Sequence, residues 1–110
     1  MVQAMINMEI ASDKMGEALQ ILRSIVERTR AETGCVSCSV YQDTEAENQL
    51  VFAQEWRSED DLQRHLRSAD YQKVLLVMEM ALTRPEVRFD TIITTNGVGV
   101  IERARTPQKV

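Results

Sequence analysis

From Val2 to Ile10 every second residue is apolar, and from Met15 to Thr29 the apolar residues recur every three or four positions. The same change of period returns after residue 49. A chain that alternates between strand and helix periods must build a sheet with helices packed against it. In the first strand Ala4, Ile6, Met8 and Ile10 share one face, and Met5, Asn7 and Glu9 share the other. Ser12 or Asp13 stands where a helix cap is expected. Met15, Ala18, Leu19, Leu22, Ile25, Val26 and Thr29 then form one stripe, with Gln20, Arg23, Glu27, Arg28 and Arg30 on the wet side. Gly34 is the expected helix stop.

The second half repeats the plan. Cys35 to Asp43 reads as a strand, Thr44 to Asn48 as a polar hairpin loop, and Leu50 to Arg57 as a third strand with Leu50, Phe52, Gln54 and Trp56 on one face. Ser58 is a helix cap followed by Glu59, Asp60 and Asp61, where the helix dipole favours acidic groups. The helical pattern runs to about Leu82, with a break expected near Ser68–Asp70, and Arg84-Pro85 stops it. Val74 to Met78 is apolar on nearly all sides, which predicts deep burial. Glu86 to Thr95 is a fourth strand. Asn96-Gly97 is a two-residue hairpin signal, so Val98 to Arg103 is expected to return as a fifth strand. The order β-α-β-β-α-β plus one strand is an α+β, ferredoxin-like pattern. Both helices fall on one sheet face; the other is expected to carry apolar and aromatic groups that need a cover, and a second copy of the chain is the simplest one. Residues 1–104 form one expected domain and 105–110 a loose tail.

A chain of 110 residues with net charge −4 has the size of one domain and lacks the clustered lysines and arginines that phosphate binding requires. Nucleic acid is therefore not expected as a partner. No apolar run is long enough to span a membrane, and the first residues lack a secretory pattern, so a cytoplasmic location without membrane association is expected. Cys35 and Cys38 form a C-x-x-C. On a regular strand, residues three apart point to opposite faces, too far apart for a disulfide. A zinc site would need a second ligand pair. Two buried structural thiols are expected.

The run Phe52-Ala53-Gln54-Glu55-Trp56-Arg57-Ser58, with His65 nine residues after Trp56 and Glu32-Thr33-Gly34-Cys35 upstream, resembles the antibiotic biosynthesis monooxygenase family over about residues 2–95. The resemblance implies a dimeric α/β barrel that oxidises quinols, anthrones or similar aromatics with O₂, often without metal or flavin. A non-catalytic dimeric protein on the same scaffold, binding a small molecule or serving in a stress response, is the alternative. The chain departs from the family in having Gln54 where a Glu is frequent, and Asp70-Tyr71 where many members carry a second His. In the haem-degrading branch an iron-binding His falls near Leu75, so haem degradation is not expected, although Asn7 matches that branch's first-strand Asn.

Oxidation of an electron-rich aromatic needs a dry pocket and a group that removes a phenolic proton. His65, the lone histidine, is the candidate base. Asn7 is a candidate to hold a substrate oxygen or a developing oxyanion. Trp56 is placed to stack on a planar substrate, with Phe52 on the same strand face. Tyr41 and Tyr71 are candidate hydrogen-bond donors, and Arg88 a candidate to neutralise an anion. Each has a plainer role as a core or surface residue. Convergence on one cavity beside Trp56 is what separates the enzyme from the binding protein.

Overall fold

The computed structural model describes residues 1–107. The alternating segment Val2–Glu9 forms β1, and the amphipathic run Ser12–Arg30 forms α1. Cys35–Gln42 and Gln49–Trp56 are β2 and β3, joined by the expected polar loop. Two short helices follow, α2 (Glu59–Leu66) and α3 (Tyr71–Glu79), split where the sequence indicates. Glu86–Thr91 is β4 and Gly99–Arg105 is α4. The sheet order is β2-β3-β1-β4, with every neighbouring pair antiparallel. This is the α+β, ferredoxin-like arrangement expected.

Registry follows the period-two pattern. Val2, Ala4, Ile6 and Met8 pair with Trp56, Gln54, Phe52 and Leu50, and all eight are buried beneath the helices. Ile6, Met8, Ile10, Leu22, Ile25, Leu50, Phe52, Val74 and Val77 belong to the main core. Val2, Ala4, Trp56 and Leu62 form a second cluster at the other end of β3.

The open sheet face is more polar than expected. Its centre is Met5, Ala53 and Val51, bordered by Gln3, Asn7, Glu55, Ser39, Tyr41 and Arg88. The less covered apolar groups lie elsewhere. Val87 and Phe89 pair with Ile6 and Ala4 on the helix side of edge strand β4, yet are 39% and 49% exposed. Leu75 and Leu76 are also about half exposed, so the apolar run of α3 buries only Val74 and Val77 of these neighbours.

Four local expectations are corrected. Ser12 does not cap α1: Ala11 holds the cap position without a side-chain bond, and Ser12 Oγ bonds Asn48 Oδ1 at 2.9 Å. The helix ends at Arg30, four residues before Gly34. The two cysteines do not face opposite ways. A bulge between Cys35 and Ser37 sets Cys35 opposite Trp56 and Cys38 opposite Gln54, both on the helix side. Both are free thiols. Finally, the fourth strand stops at Thr91, Asn96-Gly97 makes no hairpin, and residues from 99 onward are helical rather than a fifth strand. Without a partner strand, that segment satisfies its backbone locally, with Ile101 and Glu102 N–H bonding Val98 O. Of the expected tail, residues 108–110 lie outside the described residues.

Gly34 has φ +84°, and a Cβ there would come within 2.1 Å of Asp61 Oδ2. Asp61 is not free to retreat: it bonds Ser58 Oγ at 2.8 Å and Arg64 at 3.0 Å. Gly34→Ala is expected to cost more than about 1 kcal/mol, since left-handed backbone alone costs an L-residue roughly 1–2. An unchanged urea midpoint would refute this. Burial pushes the Cys38 thiol from its ordinary 9.0 up to about 11. The unfolded chain therefore ionises first as pH rises, so this thiol's contribution is complete below pH 9 and is lost between 9 and about 11. Urea midpoints measured across that window should fall less steeply in Cys38→Val than in the parent chain.

Candidate functional site

The richest polar cluster lies in the core beside the second apolar group, where β3, α2 and the α1–β2 turn meet. Period two brings Gln54 and Trp56 to the same side of β3. Ser58 caps α2 by accepting from Asp61 N–H, and this fixes the helix that carries His65 inward. The positive-φ turn at Gly34 follows Glu32 directly, and Gly34 O accepts from Arg57 N–H at 2.8 Å, tying this turn to the end of β3.

The side chains then form a chain of contacts. Trp56 Nε1–H donates to Gln54 Oε1 at 3.2 Å. Gln54 Nε2 stands 3.0 Å from His65 Nε2. His65 Nδ1 lies 2.6 Å from Glu32 Oε2. That last contact is close but poorly aligned, so neither atom has a well-formed hydrogen bond. The His65 ring stacks on Trp56 with centroids 4.8 Å apart, and Tyr71 meets it edge-on at 5.3 Å. Trp56, Gln54 and His65 are almost wholly buried, whereas the Glu32 side chain is 32% exposed. Burial also pushes the Tyr71 phenol up.

A bidentate pair holds the corner over this cluster. Arg28 of α1 donates from Nε and a terminal nitrogen to both Asp70 oxygens at 3.0 and 2.9 Å, just before Tyr71. Arg28 keeps the Asp70 carboxyl below the ordinary range. One helical turn before Glu32, Thr29 Oγ1 is buried without a hydrogen-bond partner.

The sequence candidates therefore divide. Trp56, His65 and Tyr71 come together. Phe52 is buried on the same side of the sheet but packs in the main core, two pairs further along β3. Asn7 and Tyr41 flank Val51 on the open face, and Arg88 pairs beside Met5 on that face, where it bonds Asp90 at 3.1 Å. Convergence of His65, Asn7 and a tyrosine is thus met only by His65 and Tyr71. Open hollows of about 200 to 390 Å³ lie on the surface, among them one between α1 and α3 lined by Gln20, Ile21, Ser24, Lys73 and Leu76. Trp56 and His65 line none of those described.

Two members of the cluster were not among the sequence candidates: Glu32 and Gln54. Both stand in the motif segments that flag the family. Their partnership with His65 crosses three elements, which no spacing rule reveals. Chemically, the cluster can hold an imidazole in one orientation between aromatic rings and present a partly exposed carboxylate at its edge.

No helix among the described residues is long and apolar enough to cross a membrane. The family model for antibiotic biosynthesis monooxygenase matches residues 1–75. An uncharacterized Synechocystis protein, sll1783, is 27% identical over 90 residues, covering 81% of this chain; the aligned part spans 61% of that relative's length. A conserved protein of Methanosarcina mazei superposes with TM-score 0.76 at 26% identity, covering 81% of this chain and 89% of its own. Rv0793 of Mycobacterium tuberculosis gives TM-score 0.78 at 23% identity, covering 87% and 98%. A structure of an antibiotic biosynthesis monooxygenase gives 0.76 at 21%, covering 86% and 100%. The latter two likenesses bear on fold alone. The family model, matched over residues 1–75, carries the conclusion: this chain belongs to the antibiotic biosynthesis monooxygenase family.

Proposed function

We propose that this protein is a monooxygenase that oxidises a small, electron-rich aromatic of the quinol or anthrone class with O₂, and that it works as a dimer. The observation that carries the reading is the buried aromatic cluster of Trp56, His65 and Tyr71 with the Glu32 carboxylate at its edge. A planar substrate would enter at the α2–α3 corner, displacing the edge-on Tyr71 and stacking near Trp56. The Glu32–His65 pair would take the phenolic or enolic proton as a unit. Glu32 is the member that meets the substrate, because His65 has almost no exposed surface and its Nε2 faces Gln54, whereas the Glu32 side chain is partly exposed. The substrate anion then gives an electron to O₂. One oxygen atom ends on the ring carbon as a carbonyl or hydroxyl, and the other leaves as water with two substrate hydrogens. The electrons balance without an external reductant.

The roles sketched from sequence for Asn7, Tyr41 and Arg88 do not fit this cluster. Their shared open face favours a contact surface instead, with polar groups framing Met5 and Ala53. A second copy is the proposed cover for that face and for the uncovered Val87 and Phe89 of edge strand β4.

Two measurements test these statements. Oxygen uptake with naphthohydroquinones and anthrones should exceed autoxidation, and should fall in both Glu32→Gln and His65→Ala. A positioned base contributes ~10²–10⁴-fold, so a drop of at least about tenfold is expected. Equal rates in all three proteins would remove the pair from the reaction. Light scattering at micromolar protein should give twice the chain mass; a monomer would rule out the proposed assembly.

A further inference from the structure

Gln54 stands out because its amide is saturated inside the core. Its Oε1 accepts from Trp56 Nε1–H at 3.2 Å, while Nε2 faces His65 Nε2 at 3.0 Å and Cys38 Sγ at 3.9 Å. An indole nitrogen can only donate, so the amide oxygen has to face Trp56. The other orientation would set an NH₂ against an N–H in a site 3% exposed. The amide nitrogen therefore faces the ring, and it too can only donate. His65 Nε2 must then be the acceptor, and a neutral ring keeps its single proton on Nδ1. Nδ1 is the atom that lies 2.6 Å from Glu32.

We infer that Gln54, pinned by Trp56, is a positioning residue that holds His65 as the Nδ1–H tautomer and so puts the ring's proton on the nitrogen that lies beside the Glu32 carboxylate. The donor sequence runs in one direction: indole N–H to amide oxygen, then amide N–H to imidazole Nε2, which leaves the imidazole N–H on the Glu32 side. Each link leaves the next with one usable orientation, so the proton position is set by a residue at the far end. Cys38 completes the arrangement by taking the second amide hydrogen, which leaves Gln54 no competing partner. A carboxylate at position 54 would reverse the logic. Facing His65 Nε2 it can only accept, so that nitrogen would have to be protonated. With Glu32 still against Nδ1, the ring would then carry both protons. Any role of this N–H in supporting Glu32 as proton acceptor rests on the oxygenase reading; the tautomer does not.

The test is nitrogen NMR of the single histidine in the full chain at about pH 8, above the ordinary histidine range. In the parent protein, Nε2 should resonate as an unprotonated and Nδ1 as a protonated nitrogen. In Gln54→Glu, the Nε2 signal should move into the protonated range while Nδ1 stays there. In Trp56→Phe, loss of the pin lets the amide turn over, and both nitrogens should shift to intermediate values of mixed tautomers. A parent spectrum with Nε2 protonated overturns the inference, as does a Gln54→Glu or Trp56→Phe spectrum unchanged from the parent. The parent spectrum decides even where a variant does not fold. Oxygen uptake separates the two proposals. The expected tautomer with no turnover leaves the inference standing and sinks the oxygenase reading, and turnover with an Nε2–H ring does the opposite.

Discussion

A buried imidazole needs polar neighbours from within the protein, and this one constraint organises the end of the molecule that carries His65. The ring belongs to α2, the amide that meets its Nε2 to β3, and the carboxylate 2.6 Å from its Nδ1 to the turn between α1 and β2. Moving β3 away from α2 would strand the amide and the Nε2 it meets in the core. Such a loss costs about 1–3 kcal/mol for an unmet donor or acceptor. The need for Gly34 follows from the same demand: the turn carrying Glu32 passes so close to Asp61 that no Cβ fits. The capping Ser58, Asp61 and Gly34 thus form the outer support of the contact that His65 makes within.

What was legible in the sequence is what depends on local periodicity. Alternation in β1 and β3 assigned the buried face residue by residue, and it held because all eight paired positions lie buried beneath the helices. The break between α2 and α3 was legible because Ser68 and Asp70 favour turns over helix interiors. Less visible was anything decided across elements. Nothing in C-x-x-C announces that a bulge adds a residue, yet that residue turns Cys35 to the same side as Cys38. Val98 to Arg103 has an apolar run too short to separate strand from helix, and in the fold it is helical, leaving the outer edge of β4 unpaired among the described residues. His65 and Trp56 were recognisable by spacing, whereas Glu32 became a partner only once the chain folded back at Gly34.

The sheet's outer parts follow another logic. Edge strand β4 pairs with β1 but is scarcely covered by helix, so Val87 and Phe89 remain partly wet. Beyond it, Ile93 is 94% exposed and α4 buries no residue. The radius of gyration is 16.9 Å, against roughly 13 Å for a compact chain of this length. Apolar groups held on an extended arm gain nothing from their own domain. They are stabilising only against another surface, and the two-fold copy proposed above would supply that surface twice from one interface. The polar border of the open sheet face fits a wet interface better than an oily core cut in half.

The closed state of the cluster bears on how chemistry could proceed there. Trp56 covers one side of the imidazole, Tyr71 meets it edge-on, and Gln54 occupies its Nε2 edge. A substrate cannot reach that nitrogen without dismantling the amide contacts, whereas it can reach the Glu32 carboxylate by displacing less. The Arg28–Asp70 pair is the natural place for such movement, because it joins α1 to the start of α3 from the exposed side. The pair is bidentate, yet it is solvent-accessible, so parting it strands no buried polar group, whereas parting the Gln54 contacts does. On the proposed oxygenase reading, a guest would therefore enter by parting this corner rather than by disturbing the donors that orient His65.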